Sequence, residues 1–201
     1  MNNYEYIIAG LPVLVRNADE RTDAAALIGE IRAQLSEKDN ALVDFLLAQS
    51  NGREPDAAYY LEAASSRSGF IRKYLDFERK LRNTKVEFLN RTLGREEGLD
   101  IVSLGEDVQD EDFPEKAEVE AVLSGSDILA RERGLDNLLW NKIEEITVME
   151  TFSADAVLAF IAKLSIVDRW LKLDEESGRR MFRSLVAEIK ENHKFENKEI
   201  Q

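Results

Sequence analysis

Apolar side chains recur with a helical period along most of the chain, most clearly in residues 69–94. Residues 70–93 contain neither Pro nor Gly, so nothing in the segment interrupts a helix. The period predicts one long helix with a wide apolar stripe packed against two neighbours, ended by Gly94. Two adjacent rows form that stripe: Phe70, Tyr74, Phe77, Leu81 and Phe88, and beside them Ile71, Leu75, Val86, Leu89 and Leu93.

The same period, with polar residues at candidate helix starts, predicts shorter helices on both sides of this segment. Thr22 or Asp23, Ser36, Ser126, Ser153 and Asp174 stand at or next to such starts, whereas residues 4–15 fit either a short helix or a strand. The predicted fold class is therefore all-α, an antiparallel helical bundle with short loops. The remaining helices are expected at 23–35, 37–49, 57–64, 115–123, 127–150, 154–173 and 175–193.

The chain length allows one helical domain over residues 1–201. An alternative is two sub-bundles, 1–95 and 113–195, joined by an acidic loop at 96–112. Three Pro and ten Gly are too few for a sandwich of many tight turns, and the absence of Cys excludes disulfides and thiolate metal sites. No apolar run approaches the roughly 20 residues of a membrane span, and the N-terminus is unlike a signal peptide, so we expect a cytoplasmic protein without direct membrane insertion.

Charge is distributed unevenly along the chain. The net charge of -13 argues against nucleic-acid binding. The segment from Arg67 to Arg95 contains nine basic and three acidic residues. The segment from Glu96 to Asp127 contains twelve acidic residues and one basic residue, Lys116. This reversal predicts either pairing within the molecule or a polarised surface that meets a partner.

The long helix carries two sets of candidate residues. Glu78 and Arg82 are four apart in the favourable order, which predicts a structural ion pair beside the apolar stripe; the alternative is a polar anchor for a partner helix. The basic row Arg72, Lys73, Arg79 and Lys80 is either a solvated face or a candidate partner interface. Trp140 and Trp170, at helical spacing with aliphatic residues, are expected in the core rather than at an interface.

Catalytic chemistry has little support in the sequence. His193 is the single histidine and stands in a polar C-terminal stretch, and the phosphate-binding, dinucleotide and zinc motifs are missing. The acidic residues of 106–112 lack the ligand alternation of an EF-hand loop. We therefore expect no enzyme activity, no cofactor and no metal site, with a carboxylate enzyme as the weakest of three hypotheses.

Four segments together resemble a bacterial family encoded alongside V-type (A-type) ATPase subunits and related to the C subunit, the counterpart of subunit d. They are YEYIIAGLPVL, YLDFERKLRNTKVEFLNRTLGRE, LDNLLWNKIEEIT and FSADAVLAFIAKLSIVDRWLKLDEESGRRMF. The resemblance spans most of the chain, and its middle segment is the most specific. The chain departs from a typical C subunit in being much shorter than three repeated helical units.

The resemblance implies an all-helical, non-catalytic part of an ion-translocating rotary ATPase. Such a subunit sits in the central stalk, between the shaft and the membrane rotor ring, and transmits torque. Its partners would be the other ATPase subunits, and its place would be the cytoplasmic face of the inner membrane. The competing hypothesis is a freestanding helical adaptor or regulator that is not part of the motor.

Overall fold

The computed structural model describes residues 4–16, 23–105 and 113–172, and within these ranges the chain forms eight α-helices and no strand. The all-α prediction is confirmed. The predicted helix at 175–193, with His193, and residues 106–112 of the predicted acidic loop lie outside the described residues. The helices are α1 (Tyr4–Ala9), α2 (Ala24–Arg32), α3 (Glu37–Leu46), α4 (Ala57–Ala64), α5 (Gly69–Leu93), α6 (Lys116–Leu123), α7 (Ile128–Thr147) and α8 (Ala154–Lys172).

Short polar side chains begin five of these helices, because they accept hydrogen bonds from backbone N–H groups that the first turn leaves free. Asp23, Ser36, Asp56, Ser68 and Asp127 each accept such a bond at the start of α2, α3, α4, α5 and α7. At the other end of α5, Gly94 adopts the left-handed conformation, with φ of 65°, and its N–H bonds to the carbonyl of Arg91. The helix therefore ends where the sequence predicts.

Most of the described helices share one apolar core. Its buried members come from α1 to α5 and from α7 and α8, and they include Ile7, Val43, Phe70, Ile143 and Ile161. A second core joins α5, α6 and α7 through six buried residues: Phe77, Leu81, Val119, Leu123, Leu135 and Leu138. Helix α5 contributes to both cores, as its double apolar stripe predicts, although Leu89 and Leu93 near its end are exposed.

Helix α5 runs antiparallel to α7 and parallel to α8. Lys85, late in α5, pairs with Glu132, early in α7, while Lys142 further along α7 lies over the ring of Phe77. Ser68 at the start of α5 bonds to Asp155 in the first turn of α8. The starts of α5 and α8 and the turn between α7 and α8 therefore lie at the same end of the molecule. None of the described helices is both long and apolar enough to cross a membrane.

Candidate partner-binding site

The basic row of α5 does not form one exposed face. Arg79 is only 1% exposed, and its guanidinium donates to Asp76 Oδ1 at 3.0 Å and to the carbonyl of Val102 at 3.4 Å. Lys80 is mostly covered and pairs with Asp76 Oδ2 at 2.9 Å. The chain that follows α5 folds back along the helix and reaches Arg79 through Val102, which the sequence pattern did not indicate. Of the four candidate interface residues, Arg79 and Lys80 are covered, so the candidate interface is reduced to Arg72 and Lys73.

Arg72 and Lys73, near the start of α5, are exposed. Arg72 donates to the carbonyl of Ser66, and neither residue has an ion pair within the part of the chain that the structure describes. Other basic residues of this segment form ion pairs within the chain: Arg91 pairs with Glu120, and Arg95 pairs with Asp100. Both sequence-based explanations of the charge reversal thus find a counterpart: internal pairing late in α5, and free positive charge at its start.

An exposed apolar turn lies at the end of the molecule that contains the start of α5. Val148, Met149 and Phe152, in the connection between α7 and α8, are 77%, 86% and 52% exposed. A group of large apolar side chains this accessible is a typical feature of a contact surface for another macromolecule. We call Arg72, Lys73, Val148, Met149 and Phe152 the docking end.

Asp155 fixes the two parts of the docking end relative to each other. Its carboxylate accepts hydrogen bonds from the Ser68 hydroxyl at 2.6 Å and from the Phe70 N–H at 3.0 Å. The Ser68 hydroxyl also accepts from the Ile71 N–H at 3.1 Å, so α5 is capped jointly by its own serine and by an aspartate of α8. A carboxylate is favoured here because both helix starts carry partial positive charge.

Glu78 lies in the wall of a groove of about 730 Å³ between α2, α3, α5, α7 and α8. Its carboxylate accepts hydrogen bonds from the Tyr60 hydroxyl at 2.5 Å and from Gln49 Nε2 at 3.3 Å. The groove wall is largely apolar, with Ile28, Leu47, Tyr74, Leu139 and Ile166 among its residues. Glu78 therefore presents an acidic group to a space that is otherwise suited to apolar side chains.

Burial raises the pKa of Glu78, and the hydrogen bonds from Tyr60 and Gln49 and the charge of Arg82 offset this only in part. The ion pairs among the described residues do not include Glu78 with Arg82. Arg82 acts on the carboxylate at longer range, and the direct partners of Glu78 come instead from α4 and from the turn that follows α3. Burial beside Glu78 likewise raises the pKa of Tyr60, because a phenolate there would be poorly solvated.

Two asparagines of α5 fasten the returning chain to the helix. Asn83 donates to the carbonyl of Val102 and accepts from its N–H, both at 2.9 Å, and Asn90 donates to the carbonyl of Leu99 at 2.7 Å. These contacts hold the first part of the acidic segment against α5. In the sequence, Asn83 and Asn90 are seven residues apart and therefore lie on the same face of a helix. Nothing near them in the sequence indicates that this face binds the backbone of the returning chain.

The two tryptophans pack within the fold. Trp140 is buried and its indole donates to Glu144 Oε1 at 2.8 Å, while Trp170 is half-buried and donates to Asp136 Oδ2 at 2.6 Å. The guanidinium of Arg133 lies 3.7 Å from the centroid of the Trp170 ring. Within residues 4–16, 23–105 and 113–172, acidic and histidine side chains form no group of three that could hold a metal ion.

Comparison with known proteins gives a family and no function. Neither the curated proteins nor the solved structures contain a match to this chain. The model of one family, described as a protein of unknown function (DUF2764), matches residues 53–193, which include α4 to α8. Since this match covers more than half of the sequence, the chain belongs to the DUF2764 family.

Proposed function

We propose that this chain is a non-catalytic subunit or accessory protein of a V-type or A-type rotary ATPase, and that it links the central shaft with the membrane rotor ring. The proposal rests on the sequence resemblance, whose most specific segment, residues 74–96, includes all of α5 after its first turn and a half. The family match supplies no function of its own, and the all-helical fold is compatible with a central-stalk component.

The structural observation that carries a docking role is the exposed docking end. Three accessible apolar side chains lie at the same end of the molecule as two cations that have no ion pair among the described residues. Such a surface fits a partner that offers an apolar pocket rimmed by carboxylates: apolar burial supplies affinity, and charge complementarity supplies orientation and association rate.

The fold also suits a part that carries load. Helix α5 has 25 residues and is therefore about 37 Å long. It contributes side chains to both apolar cores, and its start is bonded to α8. A force applied at the docking end would reach most of the described helices through this strut.

Capture of the affinity-tagged full chain from native cells, followed by mass spectrometry, tests the proposal. We expect subunits of the rotary ATPase to be recovered in fixed ratio with the chain. Recovery of a defined set of other proteins without ATPase subunits would overturn the proposal and favour the freestanding adaptor.

A further inference from the structure

The groove beside Glu78 is bordered by the point at which the described part of the chain ends. One face of α8, formed by Ala162, Ser165, Ile166, Arg169 and Lys172, lines it. Lys172 is the last described residue, so residues 173–201 begin at the rim of the groove. The groove follows the last eleven residues of α8, a length of about 16 Å.

The sequence beyond Lys172 contains a segment that could bind an apolar groove with an acidic group in its wall. Five apolar residues recur at helical spacing between positions 181 and 189: Met181, Phe182, Leu185, Val186 and Ile189. Drawn on a helix, Arg179, Arg183 and Lys190 fall together along one edge of this stripe. The apolar stripe covers nine residues, about 13 Å of helix, close to the length of the groove.

The charges in the groove wall favour binding of a cation beside Glu78. The Arg169 guanidinium bonds to Asp136, and Lys172 pairs with Asp168 at 2.6 Å. The Glu78 carboxylate has two hydrogen-bond donors but no ion pair among the described residues. A guanidinium entering the groove would therefore find Glu78 as its unpaired carboxylate.

We propose that the groove is the docking site of the chain's own C-terminal segment, with the stripe from Met181 to Ile189 against the apolar wall and an arginine at its edge facing Glu78. The six residues 173–178 include Gly178 and span up to about 20 Å, enough for the chain to turn back over α8. This inference concerns the chain alone and does not rest on the proposed function.

Site-specific photo-crosslinking of the full-length protein tests the proposal. The photo-crosslinker p-benzoylphenylalanine is placed at Ala25, an exposed residue of the groove wall, and for comparison at Ala41, which is equally exposed on α3 but outside the groove. We expect irradiation at position 25 to give a crosslink within one chain, mapped by mass spectrometry to residues 179–190. Position 41 should give none to that segment.

Matched substitutions then test the face that docks. Leu185→Asp places a charge in the apolar stripe and should reduce the crosslink about tenfold, whereas Ala187→Asp, on the opposite side of a helix, should leave it unchanged. Three results would each overturn the proposal. They are a crosslink between two chains, which indicates a second copy in the groove; no crosslink above the level of position 41; and equal effects of the two substitutions.

Discussion

The carboxylate of Asp155 accepts a hydrogen bond from the hydroxyl of Ser68 at 2.6 Å, across 87 positions of sequence. This contact joins the starts of two long helices, α5 and α8. It also places the exposed α7–α8 turn at the end of the molecule that presents Arg72 and Lys73. The geometry of the docking end thus depends on one carboxylate that contributes to the capping of another helix.

Replacing Asp155 should destabilise the fold measurably. Asp155→Ala leaves the Ser68 hydroxyl and the Phe70 N–H without their acceptor, and we expect the free energy of unfolding to fall by about 1–3 kcal/mol. Asp44→Ala is the matched control, because Asp44 is 64% exposed and pairs with Arg32 at the surface; it should cost less than about 1 kcal/mol. Urea unfolding compares the two, and equal losses would contradict the shared cap.

Glu78 should make stability depend on pH in the direction opposite to an ordinary paired carboxylate. Because burial raises the pKa of Glu78 in the folded state, the folded protein holds this proton more tightly than the unfolded chain. Its contribution is fully present below the unfolded pKa of about 4.5 and is lost as pH rises through the higher folded pKa. The described contacts therefore predict that wild type loses stability relative to Glu78→Gln over that window. An arginine of the C-terminal segment docked at Glu78 would reduce this loss, because it favours the charged carboxylate.

Urea unfolding of wild type and Glu78→Gln from pH 4 to pH 8 measures this difference. The amide of the variant does not titrate, so other groups cancel to first order in the comparison. A difference that is constant with pH, or that favours wild type as pH rises, would show that Glu78 is not destabilised in its charged form.

The two hydrogen bonds between Asn83 and the Val102 backbone, called the clasp here, should slow hydrogen exchange of the Val102 amide. Asn83→Ala removes both hydrogen bonds, so the Val102 amide should exchange about tenfold faster, as expected for loss of roughly 1.4 kcal/mol of local stability. Asn141→Ala, whose side chain bonds to Arg16 at a distant site, should leave that amide unchanged. Hydrogen exchange read by mass spectrometry decides, and equal rates in all three proteins would rule the clasp out.

Gly134 allows α7 to approach α6 closely. A Cβ atom at this position would lie 2.6 Å from Val122 Cγ1, so Gly134→Ala should destabilise the protein despite the gain of about 1 kcal/mol in helix propensity. With Val122→Ala already present, the same change should become stabilising. Gly29→Ala is the control: it lies within α2 with open space around it and should stabilise outright. Stabilisation by Gly134→Ala alone would contradict the close approach.

The helices were predictable because their signals are local. Capping by Asp23 and Ser36, and the stop at Gly94, depend on a few neighbouring residues, and the apolar period depends on the helix itself. α1 was ambiguous because a six-residue helix shows less than two turns of period. The division into one domain or two sub-bundles stays a prediction, although the main core takes residues from both halves.

The candidate site was less predictable because its residues depend on contacts that are distant in sequence. Arg79 resembles Arg72 in its helix face, but the chain returns to Arg79 at Val102, a contact distant in sequence. Glu78 and Arg82 have the spacing of an ion pair, but a tyrosine 18 residues away bonds to the carboxylate. No pattern within α5 carries that information.

Quantitative capture of the full chain from native cells tests directly whether the docking end binds a rotary ATPase. The first variant reverses charge at both cations (Arg72→Glu with Lys73→Glu), and the second makes the turn polar (Met149→Asp with Phe152→Asp). Lys38→Glu and Leu93→Asp, at exposed positions elsewhere, are the controls. Circular dichroism confirms that every variant is folded.

We expect wild type and both controls to recover ATPase subunits, and each docking-end variant to reduce this recovery at least about tenfold. Undiminished recovery with both docking-end variants would contradict the assigned surface. Absence of ATPase subunits from the wild-type capture would contradict the function itself.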